Sequence, residues 1–151
     1  MIVNDGCVHT ISDIITLHEY ESNTVRFLER FANQNKALDN AVYTDKRDPA
    51  FADGYGYRGQ PVIISEFGGI AMRNDQEGWG YGEMAKDKDA LIARIDAIVS
   101  AVKSLSYVCG YCYTQHTDVQ QEINGLLDVD HNYKIDPEII RGINDKIVEK
   151  V

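Results

Sequence analysis

The sequence predicts an α/β fold in which strands and helices alternate around a parallel sheet, and three observations carry that expectation. Pro61-Val-Ile-Ile64 is a short β-branched run without polar alternation, which is how a strand buried on both faces of a parallel sheet reads. Leu91, Ile95, Ile98, Val102 and Leu105 recur at steps of four and three, the period of an amphipathic helix. Polar residues gather after each apolar run, at Asp5, at His18 and Tyr20, at Glu66, and at Tyr113 and Gln115. Such repetition brings the strand tips to one edge of the sheet, where ligands bind in α/β folds.

Taken in order, Ile2-Val-Asn-Asp5 reads as the last residues of a strand, closed by a turn at Gly6. Ile14 to Tyr20 is a second β-rich run, and His18 and Tyr20, two apart, share a face. Ser22 or Asn23 can cap the next helix, with Val25, Leu28, Phe31 and Ala32 as its apolar stripe. Residues 39–60 hold no lasting period and are expected to be irregular, as is the stretch 73–86. The central strand begins at Pro61 and drives into Glu66, followed by Gly68 and Gly69, which let the backbone turn away. Glu66 is either an acid presented to a ligand or a strand-end carboxylate that caps or pairs locally. Trp79, within Gly78-Trp-Gly-Tyr-Gly82, suits a sugar-stacking lid or a plug over the core, and the sequence does not choose between them.

Asp87 to Leu105 is the clearest helix, with acids near its start that suit the helix dipole. Ser106 to Tyr113 is a further strand with a polar tip, Thr114-Gln-His116. Cys109 and Cys112 match a CxxC spacing, but they lie in a strand-like run and are read as packing residues. Asp128-Val-Asp-His-Asn132 resembles the start of a calcium loop, yet Tyr133 stands where glycine is needed and Ile139 where a bidentate Glu belongs. It reads as a turn. Asp136 as cap and Pro137 at the first helical position open a last helix with Ile140, Ile143 and Ile147 as its stripe.

Composition bounds the partners. The chain has 151 residues and a net charge of -9, which opposes a nucleic-acid partner. No apolar run approaches the roughly 20 residues of a membrane span. The opening Met-Ile-Val-Asn-Asp5 has no basic and apolar signal pattern, which leaves the cytoplasm as the default expectation. Three cysteines make no disulfide framework, and no metal or other cofactor is expected.

Four blocks together carry a family resemblance: Asn4-Asp-Gly6, Ser12-Asp-Ile-Ile-Thr-Leu-His-Glu-Tyr20, Pro61-Val-Ile-Ile-Ser-Glu-Phe-Gly-Gly69 and Gly110-Tyr-Cys-Tyr-Thr-Gln-His-Thr-Asp-Val-Gln-Gln-Glu-Ile-Asn-Gly-Leu126. In order and spacing they resemble the catalytic domain of glycoside hydrolase family 2, the β-galactosidase and β-glucuronidase group. The resemblance spans residues 1–151 and implies a partial (β/α)8 TIM barrel, from the end of strand five through strand eight. By the same resemblance, the N-terminal barrel half and the sugar-binding and immunoglobulin-like domains are absent.

The resemblance implies that Glu66 is the nucleophile of a retaining β-glycosidase and that Tyr20 hydrogen-bonds it. His18 would stand beside them, and Tyr113 would take the place of a tryptophan platform. Asp5 and Gln115 could hydrogen-bond the hydroxyls of a β-linked carbohydrate or tie down a loop, and Trp79, if it is a lid, would stack on the sugar. Relatives take their acid/base from an Asn-Glu pair, and no such dipeptide occurs here. Losing a general acid removes about 10²–10⁴ in rate, so this chain alone is expected to hydrolyse little. A half barrel has open sheet edges, which predicts a homo-oligomer paired through them. The alternative is a non-enzymatic carbohydrate-binding or scaffold domain in which Glu66 only orders its strand.

Overall fold

The computed structural model describes residues 1–38, 49–73 and 77–151. Parts of the two irregular stretches, 39–48 and 74–76, therefore lie outside the described residues. Three parallel strands form one sheet in the order β1 (Ile15–Glu19), β2 (Val62–Gly68), β3 (Val108–Thr114), with β2 in the centre. Parallel neighbours need crossover connections, and the helices fall between the strands accordingly. These are α1 (Thr24–Phe31) and α2 (Gln34–Ala37) after β1, α3 (Lys88–Ser104) after β2, and α4 (Pro137–Asp145) at the end. The run expected at Ile2–Asp5 contributes a single parallel bridge, Val3 to Ile14. No helix among the described residues is long and apolar enough to cross a membrane.

The core joins Ile15 and Leu17 of β1, Val62, Ile64 and Phe67 of β2, Phe27 and Phe31 of α1, and Leu91, Ile95, Ile98 and Val102 of α3. Each such fully buried side chain contributes about 1.5–3 kcal/mol. Ile63 and Ser65 are only half-buried, so β2 is covered fully on one face and partly on the other. This differs from the doubly buried strand expected from its unbroken apolar run.

Asn23 caps α1, its Oδ1 accepting from the N–H groups of Val25 and Arg26 at 3.0 and 3.1 Å. The buried side of α1 is Phe27 stacked on Phe31, while Val25 is exposed. The expected stripe is therefore rotated, because the two large rings claim the core. α4 is capped by Asp136 as expected, but it ends at Asp145 and leaves Ile147 in solvent. The Lys103 ammonium binds the Asn144 and Lys146 carbonyls, and the Lys146 ammonium pairs with Asp96 at 3.0 Å. A basic group on the last carbonyls is a favourable helix stop. Cys109 and Cys112 are exposed thiols on the edge strand rather than packing residues. Asp128 accepts the N–H groups of Asp130 and Asn132, both at 2.9 Å, which makes its segment a side-chain-closed turn.

Candidate functional site

Alternation along β2 would point Glu66 to the same side as Val62 and Ile64, into the core. A bulge prevents this. Leu17 pairs with Ile64 and His18 with Glu66, so Ser65 has no partner on β1. One extra residue re-aims the side chains beyond it. Glu66 is turned to the side where His18 and Tyr20 stand, and Phe67 returns to the core.

Around Glu66 the polar groups converge. The Tyr20 hydroxyl donates to Glu66 Oε2 at 2.6 Å and lies 3.4 Å from Thr114 Oγ1. Burial, with the Glu66 carboxylate adding to it, holds the Tyr20 phenol far above its ordinary pKa. Tyr20 therefore remains a proton donor to the carboxylate throughout the working range of pH. His18 Nδ1 lies 3.3 Å from Glu66 Oε2, and its Nε2 lies 3.2 Å from Asp5 Oδ2. Asp5 in turn accepts from the Ser65 hydroxyl at 2.6 Å. Partial burial acts to raise the Asp5 carboxyl, but the Ser65 hydroxyl and the His18 ring outweigh it and hold the group below its ordinary pKa.

Two glycines make room for this arrangement. Gly6 has φ +85°, and a Cβ there would stand 2.6 Å from Cε1 of the His18 ring, so the backbone of that turn forms the wall behind the imidazole. Gly69 has φ +58°, and a Cβ there would stand 2.4 Å from Tyr81 Cδ2 and 3.1 Å from the Tyr20 ring. The missing side chain admits a parallel stack of Tyr81 on Tyr20, with centroids 3.5 Å apart. Trp79 meets Tyr81 edge-on at 5.6 Å and is half-exposed, so it is not a core plug.

Of the candidate residues, Asp5, His18, Tyr20 and Glu66 come together, and Trp79 joins them through Tyr81. Tyr113 does not join them. Its ring packs edge-on against Phe67 at 5.5 Å. Burial pushes its phenol up to about 12, with the Ile70 N–H and the Arg94 charge pulling the other way. Its neighbour Thr114 is the strand-end residue that faces Tyr20.

Gln115 donates to Asn124 Oδ1 at 2.7 Å, and its carbonyl accepts from Leu126 N–H, so it anchors the loop after β3. That loop also straps Trp79, whose N–H donates to the Gln121 carbonyl at 2.7 Å and whose carbonyl accepts from Ile123 N–H at 2.9 Å. Glu19, opposite in parity to His18 and Tyr20, is buried and pairs with Arg30 at 3.4 Å.

Ser65, Tyr81 and Thr114 are the site residues that sequence reading missed. Tyr81 had a signal, since it shares the Gly-rich run with Trp79. The bulge that recruits Ser65 leaves no mark in composition or period.

The arrangement provides a half-buried carboxylate with a strong phenolic donor, an imidazole beside it, and an aromatic flank. No protein-family model matches this chain, and no curated protein matches it. Among solved structures, it is similar to a β-glucuronidase of Bifidobacterium dentium in complex with coumarin-3-O-glucuronide, with a TM-score of 0.56 and 14% identity. The match covers 97% of this chain and 24% of that one. At that identity the likeness is one of fold: this α/β chain is similar to a segment of a glycoside hydrolase.

Proposed function

We propose that this chain belongs to the catalytic barrel of a retaining β-glycosidase and that Glu66 is the nucleophile. The supporting observation is the 2.6 Å bond from Tyr20 to Glu66, set on a bulge that turns the carboxylate out of the core. In that reaction Glu66 attacks the anomeric carbon and forms a glycosyl ester, while a second carboxyl protonates the leaving oxygen and later activates water. Tyr20 orients the attacking oxygen and keeps it charged until the ester forms. His18 and Asp5 lie where sugar hydroxyls would be held, Trp79 flanks the entrance, and Tyr113 and Gln115 support the site from behind.

The second carboxyl is not Asp5. A carboxyl oxygen of Asp5 lies within 4.8 Å of one of Glu66, near the roughly 5–5.5 Å of retaining pairs. A general acid needs a raised pKa, whereas Asp5 is held low, and it sits beside the nucleophile through a shared imidazole. The acid/base therefore comes from another carboxyl, and the described residues alone make a weak catalyst. Terminal β-galactosides and β-glucuronides are the substrate classes to try. β1 and β3 end the three-stranded sheet, and copies would associate through the sheet; a strictly monomeric mass by light scattering at micromolar concentration would contradict that.

The test is covalent capture in the natural full-length polypeptide. A 2,4-dinitrophenyl 2-deoxy-2-fluoro-β-glycoside has a leaving group that needs no protonation, so labelling bypasses the acid. The expected result is one sugar on the peptide containing Glu66, absent in Glu66→Gln. A folded protein that carries no label on Glu66 overturns the assignment and favours the binding or scaffold domain.

A further inference from the structure

We infer that Tyr81 is a positioning residue of the site: its ring, held on the end of β2, fixes the direction in which the Tyr20 hydroxyl donates to Glu66. Tyr20 lies one residue beyond β1, past the last paired position, Glu19 opposite Phe67. Its hydroxyl has two acceptors in reach, Glu66 Oε2 at 2.6 Å and Thr114 Oγ1 at 3.4 Å, so the placement of the ring decides which of them it serves.

Tyr81 supplies that placement. The two rings lie 9° from parallel with centroids 3.5 Å apart, whereas Phe27 and Phe31 stack at 4.9 Å and Trp79 meets Tyr81 edge-on. Ring quadrupoles left to themselves favour offset or edge-on contact, so a superposed pair is imposed by the backbone beneath it.

That backbone belongs to the strand that carries the carboxylate. Gly69, the residue after β2, donates its N–H to the Thr114 carbonyl at 2.7 Å and accepts the Tyr81 N–H at 2.8 Å. Two residues on, the Ala71 carbonyl accepts the Ala85 N–H at 2.7 Å. A Cβ on Gly80 would stand 2.6 Å from Ala71 Cβ and 2.8 Å from the Gly69 carbonyl oxygen, so the segment before Tyr81 lies directly on the chain leaving β2. Glu66 and Tyr81 thus share one frame of reference, and the stack carries that frame across to Tyr20. The contact is ring on ring and needs no hydroxyl from Tyr81.

The aiming of a nucleophile rests on the glycosidase reading, whereas the direction of the Tyr20 hydroxyl does not, and two measurements separate them. In the full-length polypeptide, labelling of Glu66 by the fluoro-glycoside is followed in Tyr81→Leu, Tyr20→Phe and the double variant. Tyr81→Leu is expected to lower the labelling rate at saturating inactivator by roughly 3–10-fold with little change in the half-saturating concentration, and Tyr81→Phe to recover it. Because Tyr81 acts through Tyr20, its loss adds less than about twofold in the Tyr20→Phe background. Effects of the two substitutions that simply multiply, or a Tyr81→Phe as slow as Tyr81→Leu, overturn the inference.

The second measurement needs no sugar. In the chain labelled with ¹³C at tyrosine Cζ, the Tyr20 signal is assigned by its loss in Tyr20→Phe, and Glu66→Gln shows where it moves when the charge-assisted bond is gone. Tyr81→Leu is expected to move it the same way and Tyr81→Phe to leave it in place; a signal unmoved in Tyr81→Leu overturns the inference. Tyr81→Met, which fills more of the vacated space, takes its place if Tyr81→Leu fails to fold. If the wild type carries no label on Glu66, the glycosidase reading fails while the Cζ comparison still decides the role of Tyr81.

Discussion

Replacing Lys134 by Met removes the cation from an ion pair on which the β3 loop is built. Its Nζ lies 2.6 Å from Asp118 Oδ1 and 3.0 Å from the Ile123 carbonyl, and the Asp118 side chain is 1% exposed. Asp118 also accepts the Gly125 N–H at 2.7 Å, but its other oxygen is buried with no partner among the described residues. Breaking a buried pair from one side costs about 3–5 kcal/mol, because the remaining charge stays out of water. For a chain of this size that is a fall in melting temperature of roughly 6–20 °C, measurable by calorimetry. Asp118→Asn combined with Lys134→Met removes the stranded charge, and about half or more of the loss should return, giving a coupling of at least about 1 kcal/mol in a double-mutant cycle. If Lys134→Met alone costs less than about 1 kcal/mol, water reaches Asp118 and the loop is not held in this way.

Tyr20→Phe deletes the donor to Glu66 without changing ring packing. A hydrogen bond to a charged group contributes about 1.5–3 kcal/mol, so the rate of Glu66 labelling should fall by roughly 10–100-fold while binding changes little. An unchanged rate would remove Tyr20 from the machinery. Gly69→Ala places a methyl 2.4 Å from Tyr81 at φ +58°, at a backbone cost of about 1–2 kcal/mol, and should separate the Tyr20–Tyr81 stack. Near-ultraviolet circular dichroism would report the loss, and an unaltered spectrum would show that the stack is not held by that glycine. Among nine tyrosines, Tyr20, Tyr111 and Tyr113 are pushed upward mainly by burial. Unfolded phenols release protons near pH 10 while these hold theirs, so the unfolded chain binds fewer protons there and stability falls as pH rises. The contribution is complete below pH 10 and is lost above it. Ultraviolet titration should show a late-ionising group of tyrosines whose release coincides with unfolding; nine identical titrations would refute this.

The fold was legible where a local rule met no competitor. The α3 stripe could be read directly because Leu91, Ile95, Ile98 and Val102 face a flat sheet, and Asp87 caps the helix where the pattern begins. The α1 stripe was misjudged because periodicity counts Val25 and Phe27 alike, whereas volume decides which one fills the core. Ile147 looked like part of α4 because the helix stop is made by Lys103, distant in sequence, and no local residue announces it. In the site, Glu66, Tyr20 and His18 were legible from strand ends and spacing. Tyr113 and Thr114 could not be separated, since adjacent strand residues differ only in parity, and parity depends on where the ladder slips.

Ser65 gives that slip a wider meaning. Sheet sides are assigned by odd and even count, so an unmatched residue works as a frame change for every position after it. Deleting Ser65 would remove the unmatched residue and leave Ile64, Glu66 and Phe67 opposite Leu17, His18 and Glu19 in plain alternation, so the Glu66 carboxylate and the Phe67 ring would keep their sides. Losing the single residue between Ile64 and Glu66 should thus be tolerated by the ladder, with the hydroxyl contact to Asp5 as the loss. Natural length variation at this point of the strand, where it exists, should be of one residue, with the acid on the same side in both forms.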